Sequence, residues 1–201
     1  MESSTAIARG RPREFDPEEA LSAALEVFWR KGYEGASLTD LTEAMGITRP
    51  SLYACYGNKE ALFRKALELY ERDKLCYVNS ALEAPTARGV AERLLYGALT
   101  IQAGDSAAKG CLGVISTLTC TENEAIRDHV AERRASSSAA LVARFARARE
   151  EGDLPAHVEP AAIANYLSAV SQGMAVQASS GATRETLESL VETTLAIWPS
   201  A

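Results

Sequence analysis

Apolar positions along this chain recur at three- and four-residue spacings almost throughout, and none of its segments alternates convincingly as a half-buried strand would. Ala20, Leu21, Ala24, Leu25 and Phe28 form a first stripe. Asp16 stands in a capping position before it, Pro17 fits the first helical position, and Glu19 can reach back as in a capping box. Gly32 supplies a stop. Ser37 and Asp40 open a second, very short helix bearing Leu38, Leu41, Ala44 and Met45; Gly46 ends it, and Ile47 points back into the same small core. Thr48 can cap a third helix reaching about Tyr56. Asn58 can cap a much longer fourth, with Leu62, Phe63, Ala66, Leu67 and Tyr70 on one face, before a break across residues 84–89. Further helices are expected near 88–103, 111–120, 123–151, 159–180 and 184–197, punctuated by Gly104, Gly110, Gly152 with Pro155, and Gly181. The pattern predicts an all-α chain.

Residues 163–178, IANYLSAVSQGMAVQA, are apolar on more than one face. A helix of that kind must be covered, and late in a small helical chain a second copy is the natural cover. Ala169 and Ala175 here, with Leu187, Leu190 and Val191 on the narrower stripe of the last helix, are the expected interface of a homodimer.

The pairing of a short helix, a Gly turn and a second short helix is a helix-turn-helix arrangement, whose second helix can enter a DNA major groove. Leu52 would hold that helix inward, leaving Arg49, Ser51, Tyr53 and Tyr56 on or beside the outer side, with Tyr56 the more inclined to pack. Lys59, at the start of the next helix, suits a phosphate oxygen. Arg9, Arg11 and Arg13 lie on an N-terminal arm that could follow a phosphate backbone or enter a minor groove.

Charge limits this reading without opposing it. The 201 residues carry a net charge of −6, which argues against indiscriminate nucleic-acid binding. Arg133, Arg134, Arg144, Arg147 and Arg149 are expected to form a solvated helix face. Cys55, Cys76, Cys111 and Cys120 lack metal-type spacing, and neither His129 nor His157 has a ligand-spaced neighbour, so no metal or cofactor is expected. The chain has no nucleophile triad, paired-carboxylate motif or Gly-rich phosphate loop, so it is not expected to be an enzyme. With no apolar run of membrane-spanning length, a cytoplasmic protein without membrane partners is expected.

The stretch GYEGASLTDLTEAMGITRPSLYACYGNKEALF, residues 32–63, resembles the DNA-binding region of the TetR family of transcriptional regulators. The resemblance rests on the Gly-aromatic lead-in, Ser before the second helix, Ala-x-Gly-Ile at the turn, Leu-Tyr in the third helix and Lys-Glu-x-Leu-Phe at the fourth. Cys55 stands where His is frequent in that family, and Tyr56 where Phe is frequent. The resemblance implies that Thr39, Thr48, Arg49, Tyr53, Tyr56 and Lys59 lie at the DNA. With Ser37, Ser51, Arg11 and Arg13 they make up the expected contact set. It further implies a basic arm over residues 1–13, a helix-turn-helix domain over 14–57, and a larger effector-binding and dimerisation domain over 58–201. Tyr70, Tyr77, Tyr96, Cys111, Cys120 and Tyr166 fall in helices that such a domain would wrap around a small-molecule effector. The expected function is a dimeric repressor of a palindromic double-stranded DNA operator, released by that effector. Activation on ligand binding carries the same signature, as does redox or metal control through the cysteines. A helical ligand-binding protein without DNA activity is the more distant alternative.

Overall fold

The computed structural model describes residues 15–104 and 108–199; Arg11 and Arg13, and with them the basic arm, lie outside the described residues. Among the described residues ten helices follow one another: α1 Pro17–Gly35, α2 Leu38–Met45, α3 Arg49–Tyr56, α4 Lys59–Lys74, α5 Cys76–Leu82, α6 Ala87–Gln102, α7 Leu112–Thr119, α8 Glu124–Glu150, α9 Pro160–Ser179 and α10 Arg184–Ala196. Among the described residues there is no strand. None of the helices is long and apolar enough to cross a membrane.

Local chemistry explains most boundaries. Asp16 accepts from the Glu18 amide at 2.8 Å, and Thr86, Asn123 and Thr183 cap α6, α8 and α10 in the same way. The stop expected at Gly32 takes the form of a kink inside α1: its φ of 69° leaves the helical region and the chain then resumes for a last turn. A side chain there would be strained by that φ and would also collide with α7, since a Cβ would sit 2.3 Å from Thr119 Oγ1.

The long fourth helix is divided. Leu75, at φ −100° and ψ 9°, separates α4 from α5, with its amide shared between the Tyr70 and Glu71 carbonyls. No Gly or Pro marks this bend, and the turn it makes lets α5 pack along α6.

Buried side chains form two cores. The first joins Phe28, Trp29 and Tyr33 of α1 to Leu41, Leu52, Leu62 and Phe63, and draws in Leu112, Cys120, Ile126 and Val130 from α7, α8 and the corner before α8. Its aromatic rings meet edge-on, with Phe28 and Phe63 centroids 5.1 Å apart and those of Trp29 and Tyr70 4.9 Å apart. Each such pair contributes about 0.5–1.5 kcal/mol beyond burial.

The second core packs Leu95 and Leu99 of α6 against Phe145, Leu167, Met174, Leu187, Val191 and Trp198. This corrects part of the expected dimer interface: Leu187, Val191 and Ala175 are buried within their own subunit, because the inward faces of α9 and α10 are needed to close it. Leu190 is half-buried and Ala169 exposed. The solvated arginine face is corrected at one position. Arg144 is buried and donates to the Leu82 and Ala84 carbonyls, at 3.2 and 2.8 Å, completing the open backbone end of α5.

Candidate nucleic-acid interface and ligand cavity

α2 is set by a reciprocal cap. The Ser37 hydroxyl accepts from the Asp40 amide at 3.0 Å and donates to Asp40 Oδ2 at 2.8 Å, while the Ser37 amide donates to the same carboxylate at 3.0 Å. Lys31 Nζ lies 2.6 Å from Asp40 Oδ1, and these hydrogen bonds, Lys31 first, hold the carboxyl well below the usual carboxylate range. The hydroxyl of Ser37, one of the expected contact residues, is thus engaged in the cap. Gly46, at φ 63°, ends α2 through bonds to Thr42 and Glu43, a left-handed stop that costs glycine nothing.

Thr48 caps α3, its Oγ1 accepting from the Ser51 amide and lying 3.0 Å from the Ser51 hydroxyl. Leu52 is fully buried beneath it. On the outer side, Arg49 Nη2 donates to Thr39 Oγ1 at 2.9 Å, so the guanidinium bridges the exposed faces of α2 and α3. Tyr53 stands beside this bridge, 47% exposed. Thr39, Thr48, Arg49 and Tyr53 thus share one solvent-facing surface, with Ser51 half-buried at its edge. Tyr56 does not share it. Its ring is buried and its hydroxyl donates to the Pro17 carbonyl at 2.8 Å, tying α3 to the start of α1. Lys59 is also drawn inward. Its ammonium lies 4.5 Å from the Tyr33 ring centroid and reaches the Glu34 carbonyl at 3.5 Å, and burial pushes its pKa down.

Behind this surface sits a joint that no sequence motif announces. The Glu34 carboxylate, on the last turn of α1, accepts from the amides of Glu122 and Asn123 at 2.6 and 3.4 Å and from the Thr121 hydroxyl at 3.3 Å. Those bonds, led by the Glu122 amide, hold its pKa down. Asn123 Nδ2 donates to the Tyr33 hydroxyl. The α7–α8 corner is thereby fastened to the helix-turn-helix.

α7 also walls a partly open cavity of about 490 Å³ bordered by α4, α5, α6, α8 and α9. Tyr70, Tyr77 and Cys111 line it as expected, together with Thr117 and Gln172. Three expected members are elsewhere. Cys120 is buried in the first core, its thiol donating to the Asn123 carbonyl at 3.4 Å. Tyr96 and Tyr166 point outward, because the inward faces of α6 and α9 are taken by aliphatic side chains. Gln102 and the Arg133–Glu71 pair line the cavity and were missed by sequence reasoning. The only signal for Gln102 is a polar side chain on an otherwise apolar helix face, and the charged stretches around Glu71 and Arg133 carry none. The four cysteines are free thiols. Among the described residues no cluster of His, Cys, Asp and Glu could hold a metal.

Known proteins agree with this geometry. The sequence profile for bacterial regulatory proteins of the tetR family matches residues 20–66. The HTH-type transcriptional repressor ComR of Escherichia coli K12 is 33% identical over 197 residues, spanning 96% of this chain and 93% of that protein. The uncharacterized HTH-type transcriptional regulator YezE of Bacillus subtilis 168 is 32% identical, spanning 94% and 98%. Among solved structures, a cysteine-substituted TetR-family regulator CifR in complex with 26-bp operator DNA is 42% identical with a TM-score of 0.89, covering 94% of this chain and all of that one. Together with the helix-turn-helix, these matches identify the chain as a member of the TetR family of bacterial regulatory proteins, a DNA-binding transcriptional regulator and not an enzyme.

Proposed function

We propose that the protein is a cytoplasmic, homodimeric repressor that holds a palindromic operator through α3 and releases it when a small molecule enters the cavity behind α7. The observation that carries this reading is the outer surface of α2 and α3, where the Arg49–Thr39 bridge and Tyr53 face solvent while Leu52 and Tyr56 lock the helix from beneath. Thr39, Thr48, Arg49, Ser51 and Tyr53 are the proposed contacts, with Arg11 and Arg13 of the arm added along the backbone. The DNA-bound state of CifR, 42% identical over nearly the whole chain, supports assigning the same use to this helix-turn-helix.

A dimer supplies two such helices about 34–36 Å apart, one helical turn of DNA. Its proposed surface is the outer stripe of α9, where Tyr166, Ala169, Gly173 and Val176 are exposed at helical spacing, with Leu190 of α10 beside it. The effector acts by favouring a different separation. α7 is common to the cavity and to the Gly32–Thr119 contact, and the Glu34 joint lies immediately beyond it, so a ligand pressing on α7 has a packed route to the DNA-binding helices.

The test is titration of the purified protein against DNA flanking its own gene, near physiological salt with unrelated DNA as competitor. Nanomolar retention of one short palindrome is the expected result. If neither that DNA nor a genome-wide selection yields a preferred site, the repressor reading fails.

A further inference from the structure

The cavity carries an instruction about what it binds. Two polar side chains in its wall are almost fully buried and lack a hydrogen-bond partner in the protein: the hydroxyl of Tyr70, 1% exposed, and Oε1 of Gln102, 4% exposed. Gln102 is fixed by its other end, Nε2 donating to the Ser171 carbonyl at 3.2 Å, so Oε1 is left as an acceptor. Cys111 and Leu112 are the nearest polar groups to the Tyr70 hydroxyl, and burial keeps that hydroxyl protonated as a donor. The surrounding wall is aliphatic, with Leu67, Leu94, Ile101 and Val114 among its members.

Charge in the lining of this cavity is largely matched. Arg133 pairs with Glu71 and Arg127 with Glu124, and both arginines are nearly half exposed. Arg134 is half-buried and already donates to Thr117 Oγ1 at 3.0 Å. A carboxylate brought to Gln102 would meet its carbonyl oxygen, and an ammonium would find no unpaired carboxylate among the lining residues. A neutral group that both donates and accepts satisfies the two orphaned atoms together, and such atoms are costly to leave buried and unmade.

We propose that the effector is an uncharged, hydroxyl-bearing apolar compound, an alcohol or phenol, whose hydroxyl donates to Gln102 Oε1 and accepts from Tyr70. This rests on the effector reading above and specifies its chemistry. A matched series tests it by calorimetry on the full-length protein: 4-pentylphenol, 4-pentylbenzoate, 4-pentylbenzylamine and pentylbenzene. The phenol should bind at least tenfold more tightly than the others. Tyr70→Phe keeps the ring against Trp29, and Gln102→Met keeps the volume. Each should weaken the phenol about tenfold and leave pentylbenzene unchanged. Without ligand, Tyr70→Phe should melt no lower than the wild type, because it removes an unsatisfied hydroxyl, whereas a purely structural role would lower its Tm. Equal or tighter binding of the benzoate would overturn the proposal in favour of an acid led by Arg134. Unchanged phenol affinity in both variants, or no binding by any member, would overturn it as well. Phenol binding that persists in a protein indifferent to its operator would sink the repressor reading and leave the ligand class standing.

Discussion

Side chains of one chemical type play opposite parts in this protein, and their partners decide which. Tyr53 and Tyr56 are three residues apart on α3, yet one faces solvent and the other holds α1 through the Pro17 carbonyl. Tyr56→Phe should therefore destabilise the fold by about 0.5–1.5 kcal/mol in urea unfolding. Tyr53→Ala should leave stability within about 0.5 kcal/mol but weaken DNA binding in a fluorescence titration. The cations divide likewise. Arg49 reaches the outer surface, so Arg49→Ala should cut the slope of log affinity against log salt by about one if it meets a phosphate. Lys59→Ala should cut it by less, because the ammonium is held over Tyr33. Arg144 looked like one more exposed charge in an Ala- and Ser-rich helix; Arg144→Ala leaves the Leu82 and Ala84 carbonyls without their donor and should cost about 1.5–3 kcal/mol.

Elements were legible in the sequence wherever a backbone end needs a particular side chain. Asp16, Ser37, Thr48 and Asn58 each cap a helix, and Gly46 turns the corner, because these requirements are local and few residues meet them. The bend at Leu75 was not legible, since an ordinary leucine adopts it to suit the packing of α5 on α6. The Glu34 joint was hidden for the same reason: its partners lie 87 to 89 residues away. That joint is open to titration. A carboxylate whose pKa is depressed by folding adds stability at neutral pH and loses it as pH falls through and below about 4. Glu34→Gln should accordingly show a shallower loss of Tm than the wild type as pH falls from about 5 to 3. Gly32→Ala combines a left-handed φ with a collision against Thr119. It should destabilise by at least about 1 kcal/mol, with hydrogen exchange accelerated first in α7.

For the whole molecule, burial decided which apolar stripes turn inward. Periodicity marked α9 and α10 as apolar but could not say which face each subunit keeps for itself. Leu187 and Val191 close the monomer, while Ala169 and Val176 remain outside. Ala169→Glu with Val176→Glu should shift sedimentation from dimer to monomer and abolish tight operator binding without lowering monomer stability by more than about 1 kcal/mol. A double variant that stays dimeric would move the interface away from this face.

The first core sets a limit on how the protein can be cut and recombined. Leu112, Ile126 and Val130 are as much part of the helix-turn-helix interior as Phe28 is, although some fifty or more residues separate them from α3. A fragment ending at Gly57 or Lys74 would expose the apolar faces of α1 and α4 that these residues cover, and should not fold alone. Grafting new operator specificity onto this regulator is therefore best done by exchanging the outer side chains of α2 and α3. A chimera joined at residue 57 would need a compatible α7–α8 corner from the same parent.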